Sequence, residues 1–189
     1  MKSVINNENT IIIKNSKFIC LIYNVNSKEE INNYLETTKK NYPNATHYCY
    51  AYILDTNKHE SDDGEPSGTA GIPILQVLEK NDLNHVLCIV VRYFGKIKLG
   101  AGGLVRAYTK SVVECLKNNI LELKKGYEVN ITFSYNDLKK IDYLLKDYNI
   151  KNKIFDNNII YNLYIDIELL ENLKQFNDIK IEMIKDIYF

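Results

Sequence analysis

The feature that most narrows the fold lies in the last third of the chain. Past Lys124–Gly126 the sequence reads as six elements. They are a strand over Tyr127–Tyr135, a helix over Asp137–Tyr148 capped by Asn136, strands over Ile150–Phe155 and Ile159–Asp166, a helix over Glu168–Phe176 and a strand over Ile179–Tyr188. The Asp156–Asn157–Asn158 link between the middle strands suits a tight turn. The order βαββαβ is the ferredoxin-like pattern. Residues 125–189 are therefore expected to form one small domain and residues 1–124 another, giving a two-domain α+β chain.

The first 124 residues mix strands and helices. The apolar runs TIIIK and KFICLIYNV flank the polar link Asn15–Ser16 and predict a hairpin. Ser27 with Glu30 three residues on forms an S-x-x-E capping box. Ile31, Tyr34 and Leu35 give the helix that follows an apolar face. ATHYCYAYIL predicts a strand with Ala45, His47, Cys49, Ala51 and Ile53 on one face and Tyr48, Tyr50, Tyr52 and Leu54 on the other. Residues 55–68 read as a long polar loop, a kind of segment that is often functional. TAGIPILQVLEKN starts a helix that tolerates Pro73 in its first turn. VLCIVVRYF, Val86–Phe94, is a buried strand. The loop GKIKLGAGG then leads into a helix, LVRAYTKSVVECLKNN, whose Leu104, Tyr108, Ser111, Val112 and Cys115 face inward.

Composition closes several doors. The chain is 46% hydrophobic and 25% charged, too apolar for disorder. Its formal net charge is zero, so bulk charge does not announce a nucleic-acid binder. Cys20, Cys49, Cys88 and Cys115 form no CxxC pair and read as small packed hydrophobes. The N-terminus MKSVINNENT lacks the apolar core of a secretory signal, and no run approaches 18 apolar residues. A cytoplasmic protein with reduced thiols and no membrane contact is expected.

Unusual sequence concentrates in residues 59–111, in two loops that each feed a helix. The first, SDDGEPSGTAG, sets Asp62, Asp63 and Glu65 among Gly64, Gly68 and Gly71. Hard cations favour such carboxylates, but an acidic turn capped by Ser67 or Thr69 explains the same residues, and no metal is assigned. The second runs from Arg92 to Arg106 and reads RYFGKIKLGAGGLVR. Arg92, Lys96, Lys98, Arg106 and Lys110 supply five positive charges with no acid between them. Gly95, Gly100, Gly102 and Gly103 leave the backbone open beside a helix start, whose unpaired N–H groups and positive dipole end attract anions. Phosphate is the expected anion. The loop is neither a Walker loop nor a GxGxxG fingerprint, because Val105 stands where the last glycine would be. Tyr93–Phe94 could offer a face to a base or belong to the core. His47 reads as a packed side chain. His59, beside the carboxylates, is the better candidate for acid–base work, and Cys49 near His47 makes only a weak nucleophile pair.

ATHYCYAY, DDGEPSGTAGIPIL and VVRYFGKIKLGAGGLVRAY together resemble the ordered signature of the YigZ/IMPACT family, over about residues 45–108. The resemblance implies a first domain similar to domain IV of elongation factor G and to the second domain of a small-subunit ribosomal protein. It implies a second domain similar to that factor's domain V. It places the suspected site on Asp62, Asp63, Glu65, Ser67, Arg92, Lys98, Gly100, Gly102, Gly103 and Arg106. Lys96 stands where the family commonly has a second glycine after RYFG, and Tyr48 where it often has Asn. The family's eukaryotic relatives regulate translation through an extra N-terminal partner-binding domain that this sequence does not contain.

The resulting expectation is a translation-associated, non-enzymatic protein. It would bind RNA or the ribosome through Lys and Arg on phosphates, with no cofactor and no preference among DNA sequences. The alternatives are an enzyme on a phosphorylated small molecule or nucleotide, with Asp62 or Asp63 holding magnesium, and a protein-interaction module serving the translation machinery.

Overall fold

The computed structural model describes residues 1–176 and 178–188. It divides the chain into two compact units, Met1–Glu122 and Leu123–Phe189. No helix among the described residues is long and apolar enough to cross a membrane.

The first unit is built on a five-stranded antiparallel sheet. Its strands are β2 (Asn7–Ile13), β3 (Ser16–Asn24), β4 (His47–Leu54), β5 (Asn57–Ser61) and β6 (Val86–Tyr93), in the order β2-β3-β6-β4-β5. The apolar run Val86–Val91 is buried throughout because β6 is the central strand with helices on both faces. One face meets α1 (Lys28–Asn41) through Ile19, Leu87, Ile89 and Ile31. The other meets α2 (Gly71–Lys80) and α3 (Ala101–Leu116) through Phe18, Cys88, Ile74, Leu104 and Val112. β4 divides its side chains as its alternation predicts, Cys49, Ala51 and Ile53 to the α2–α3 side and Tyr48, Tyr50, Tyr52 and Leu54 to the α1 side. The hairpin turns on Lys14 and Asn15, both left-handed (φ 45 and 64). Ser27 caps α1 by accepting the Glu30 N–H, while the Glu30 carboxylate accepts the Asn26 N–H. All four cysteines are buried free thiols.

Three expectations change. Residues 57–61 are an edge strand paired along β4, not loop. NKHES has no apolar alternation because it is mostly exposed, and the ladder itself holds it. His59 lies against the rings of Tyr50 and Tyr52, away from acid–base partners. Finally, β1 (Lys2–Val4) pairs with β7 (Ile120–Glu122), two strands too short to read from pattern.

The second unit has the expected βαββαβ order: β8 (Lys125–Phe133), α4 (Leu138–Leu144), β9 (Ile150–Phe155), β10 (Ile159–Asp166), α5 (Ile167–Lys174) and β11 (Lys180–Tyr188). Its antiparallel sheet runs β11-β8-β10-β9, so the first and third strands are central. Val129, Ile131, Tyr161 and Leu163 pack under Ile141, Leu169 and Leu173. Asp166 caps α5 by accepting the Leu169 N–H. Asn136 does not cap α4, because Tyr135–Asp137 forms a 3-10 turn ahead of it.

Candidate anion-binding site

Both unusual loops reach one end of the five-stranded sheet, where β4 starts and β6 stops. Thr46 ties those strands together: its N–H donates to the Arg92 carbonyl (2.8 Å), and its Oγ1 accepts the Phe94 N–H (3.0 Å). Gly95 then passes against the hairpin tip. A Cβ there would lie 2.0 Å from the Asn15 carbonyl carbon, so only glycine fits.

The three carboxylates of the acidic loop do three separate jobs. Asp62 accepts the N–H groups of Gly68 (2.7 Å), Ala70 (2.9 Å) and Gly71 (2.8 Å). It is the cap of α2, replacing the expected Ser67 or Thr69. Ser67 is exposed, and Thr69 Oγ1 donates to the Pro66 carbonyl (2.6 Å). Burial alone would raise the Asp62 pKa, but the three backbone donors outweigh it and hold it below the ordinary value. Asp63 Oδ2 accepts the Tyr48 N–H (2.6 Å). Glu65 turns inward to Arg92 (Nη1 to Oε1, 2.5 Å), in an ion pair whose side chains are 6% and 3% exposed. Among the described residues no cluster of three His, Cys, Asp or Glu could hold a metal ion.

Glu65 Oε1 is the hub of the site. Beyond Arg92 it accepts the Tyr108 hydroxyl (2.8 Å), and His47 Nε2 lies 3.9 Å away. Burial pushes the Tyr108 hydroxyl far above its usual range. Burial likewise pushes Cys49 up to about 12. Its thiol donates to the Asp62 carbonyl (2.9 Å), so Cys49 is a packed thiol, not a nucleophile. His47 Nδ1 meets the Asp63 carbonyl at 2.8 Å. A carbonyl can only accept, so in the neutral ring Nδ1 carries the proton and Nε2 the lone pair.

Arg92 therefore differs from its expected role as an exposed phosphate contact. Its guanidinium is buried between the Phe18 and Phe94 rings and neutralised by Glu65. The remaining cations do stay free. Lys96, Lys98, Arg106 and Lys110 are exposed and make no ion pair with a described residue. Gly100 caps α3 in a left-handed conformation (φ 72), with no side-chain cap and no acid in the first turn. The first N–H groups of the helix, at Ala101, Gly102 and Gly103, thus have no partner within it. The Arg106 guanidinium lies over Gly102.

These parts border one cavity of about 400 Å³, within the range of small-molecule sites. Its lining joins His47, Glu65 and Arg92 to Phe94, Lys98 and Gly100. Asp62, Asp63, Ser67, Lys96, Gly102, Gly103 and Arg106 of the sequence-derived set are not among its lining residues. Sequence reasoning took His47 for a packed side chain and left Phe94 between a face for a base and a core position. Both stand at strand ends, and only their facing β4–β6 positions bring them together.

The fold and this cavity define a two-unit α+β protein with a cationic, backbone-open pocket at a helix start. The Impact N-terminal domain family matches residues 14–116. IMPACT family member YvyE of Bacillus subtilis is 41% identical over 165 residues, 84% of this chain and 76% of that protein. IMPACT family member YigZ of Escherichia coli is 34% identical over 139 residues, 70% of this chain and 68% of that protein. The crystal structure of a hypothetical protein superposes with a TM-score of 0.65 at 27% identity, covering 97% of this chain and 98% of that one. The chain belongs to the IMPACT family.

Proposed function

We propose that the chain is a translation-associated regulatory protein of the cytoplasm. It holds RNA phosphate, on free RNA or on the ribosome, at the start of α3. The observation that carries this is the uncapped N-terminus of a 16-residue helix opening on a cavity beside an unpaired Lys98. Backbone N–H groups and a helix dipole favour an anion there, and Lys98 adds charge. Lys96, Arg106 and Lys110 can follow a phosphate chain outside the cavity. Such contacts are indifferent to base sequence. The family resemblance implies a first unit similar to elongation factor G domain IV and to a ribosomal-protein domain, an expectation that suits the same setting by analogy of fold.

Ala101→Asp tests the proposal. Ala101 is exposed at the first helical position. An acid there suits the helix dipole, so folding is kept while phosphate is repelled. Fluorescence anisotropy with a labelled RNA oligomer should show binding to the native chain, weaker at higher salt and lost in the variant. Undiminished binding by the variant would refute the placement.

A second reading, an enzyme on a phosphorylated small molecule or nucleotide, draws on the cavity's volume and on His47. The magnesium it needs would have to displace backbone donors from Asp62 and Asp63. Thermal-shift measurements with nucleotides and magnesium test it, since a ligand of the folded state raises its stability.

A further inference from the structure

The cavity offers more than a place for phosphate. Glu65 is 3% exposed, and its Oε1 is fully engaged by Arg92 and Tyr108. Its other oxygen, Oε2, has no hydrogen bond to any described residue. The sealed polar atoms without a partner among those residues are Arg92 Nε and Ser111 Oγ, so Oε2 is not sealed off. Glu65 lines the cavity, and so does His47, whose Nε2 lone pair faces the same way. The inner wall thus presents two acceptors beside the Arg92 guanidinium, whose Nη1 is bound to Glu65 and whose Nε is sealed from the cavity. The mouth presents the reverse: Lys98, exposed, and Ala101, whose N–H leads the unpaired donors at the start of α3. Phe94, 43% exposed, stands at the rim with one face of its ring over Arg92 and the rest of the ring open to a stacking partner.

A ligand that satisfies this arrangement carries hydroxyl donors at one end, an anion at the other and a flat ring beside them. We propose that the cavity receives one ribonucleotide. Its vicinal ribose hydroxyls bond Glu65 Oε2 and His47 Nε2, its phosphate lies against Lys98 and the α3 amides, and its base lies on Phe94. The proposal rests on the phosphate placement above and adds the sugar to it. Because the hydroxyls lie inward and the phosphate outward, an RNA strand enters by its 3′ end. The strand then leaves over Lys96 and Arg106. A free ribonucleotide presents the same groups and is the other source of this chemistry.

The hydroxyls themselves can be tested on the native chain, where folding is not in question. Three labelled oligomers of one sequence are compared by anisotropy: RNA with an ordinary 3′ end, the same RNA ending in a 2′,3′-dideoxynucleotide, and the matched DNA. Hydrogen bonds to a carboxylate predict at least about tenfold weaker binding of the dideoxy end. His47→Ala should shrink that difference. Competition with AMP and with its 2′,3′-dideoxy analogue separates the sources. AMP competing as well as the oligomer supports the pocket with a free nucleotide as occupant, and AMP competing weakly supports an RNA end. Equal affinity for the ordinary and dideoxy ends overturns the sugar placement and leaves RNA binding intact. Failure of every oligomer to bind at low salt overturns the functional proposal itself.

Discussion

The two glycine-rich loops of the first unit carry opposite charges and meet at one cavity, yet they use their charge in opposite ways. Every carboxylate of the acidic loop is taken up by the protein: Asp62 by three backbone donors, Asp63 by Tyr48, Glu65 by Arg92 and Tyr108. In the basic loop only Arg92 is taken up. Lys96, Lys98 and Arg106 stay exposed beside a helix with no side-chain cap. One loop is structure held by charge, and the other is charge held out by structure. The difference teaches that a run of like charges can contain both kinds, and that burial separates them.

Substitutions at Arg92 should break this contrast hardest. Arg92→Ala strands Glu65 in the interior and should cost about 3–5 kcal/mol in urea denaturation, whereas Arg92→Met with Glu65→Gln should recover most of that. Next comes Asp62→Asn, expected to cost about 1–2 kcal/mol through the α2 cap. The folded-state pKa of Asp62 lies below its ordinary value. Its contribution is therefore complete above about pH 4 and lost as pH falls through the folded value. Native and D62N stabilities should converge at acid pH, and parallel pH profiles would argue against the cap. Lys96 sits at φ 65, a left-handed conformation that favours glycine. Lys96→Gly should gain about 0.5 kcal/mol in thermal unfolding. Smallest on stability are Lys98→Ala and Arg106→Ala, expected within about 0.5 kcal/mol. Each should nonetheless weaken RNA binding and flatten the log-affinity against log-salt slope by about 0.7. A large stability loss in either would erase the distinction between the loops.

The second unit was almost wholly legible in sequence, because its six elements are short, local and correctly ordered. The central strand and the α3 start were legible too, from the Val86–Val91 run and the GAGG stretch. What escaped was set by tertiary context. NKHES is a strand only because β4 offers it an edge. Ser67 and Thr69 have the chemistry of caps, but Asp62 reaches α2 first. Arg92 looked like one more cation in a basic run. Its place on the central strand turns it toward Glu65, and no spacing rule encodes that meeting across 27 residues. Lys96 escaped as well, since its left-handed backbone, which glycine would adopt without strain, is set by the loop's path.

The pairing of Lys2–Val4 with Ile120–Glu122 brings Met1 beside Leu123, where the second unit's chain begins. An affinity tag or fluorophore attached ahead of Met1 would emerge beside that residue. Ser3 Oγ donates to the His85 carbonyl just ahead of β6, whereas the cavity lies past that strand's other end, so such a label leaves the cavity unencumbered.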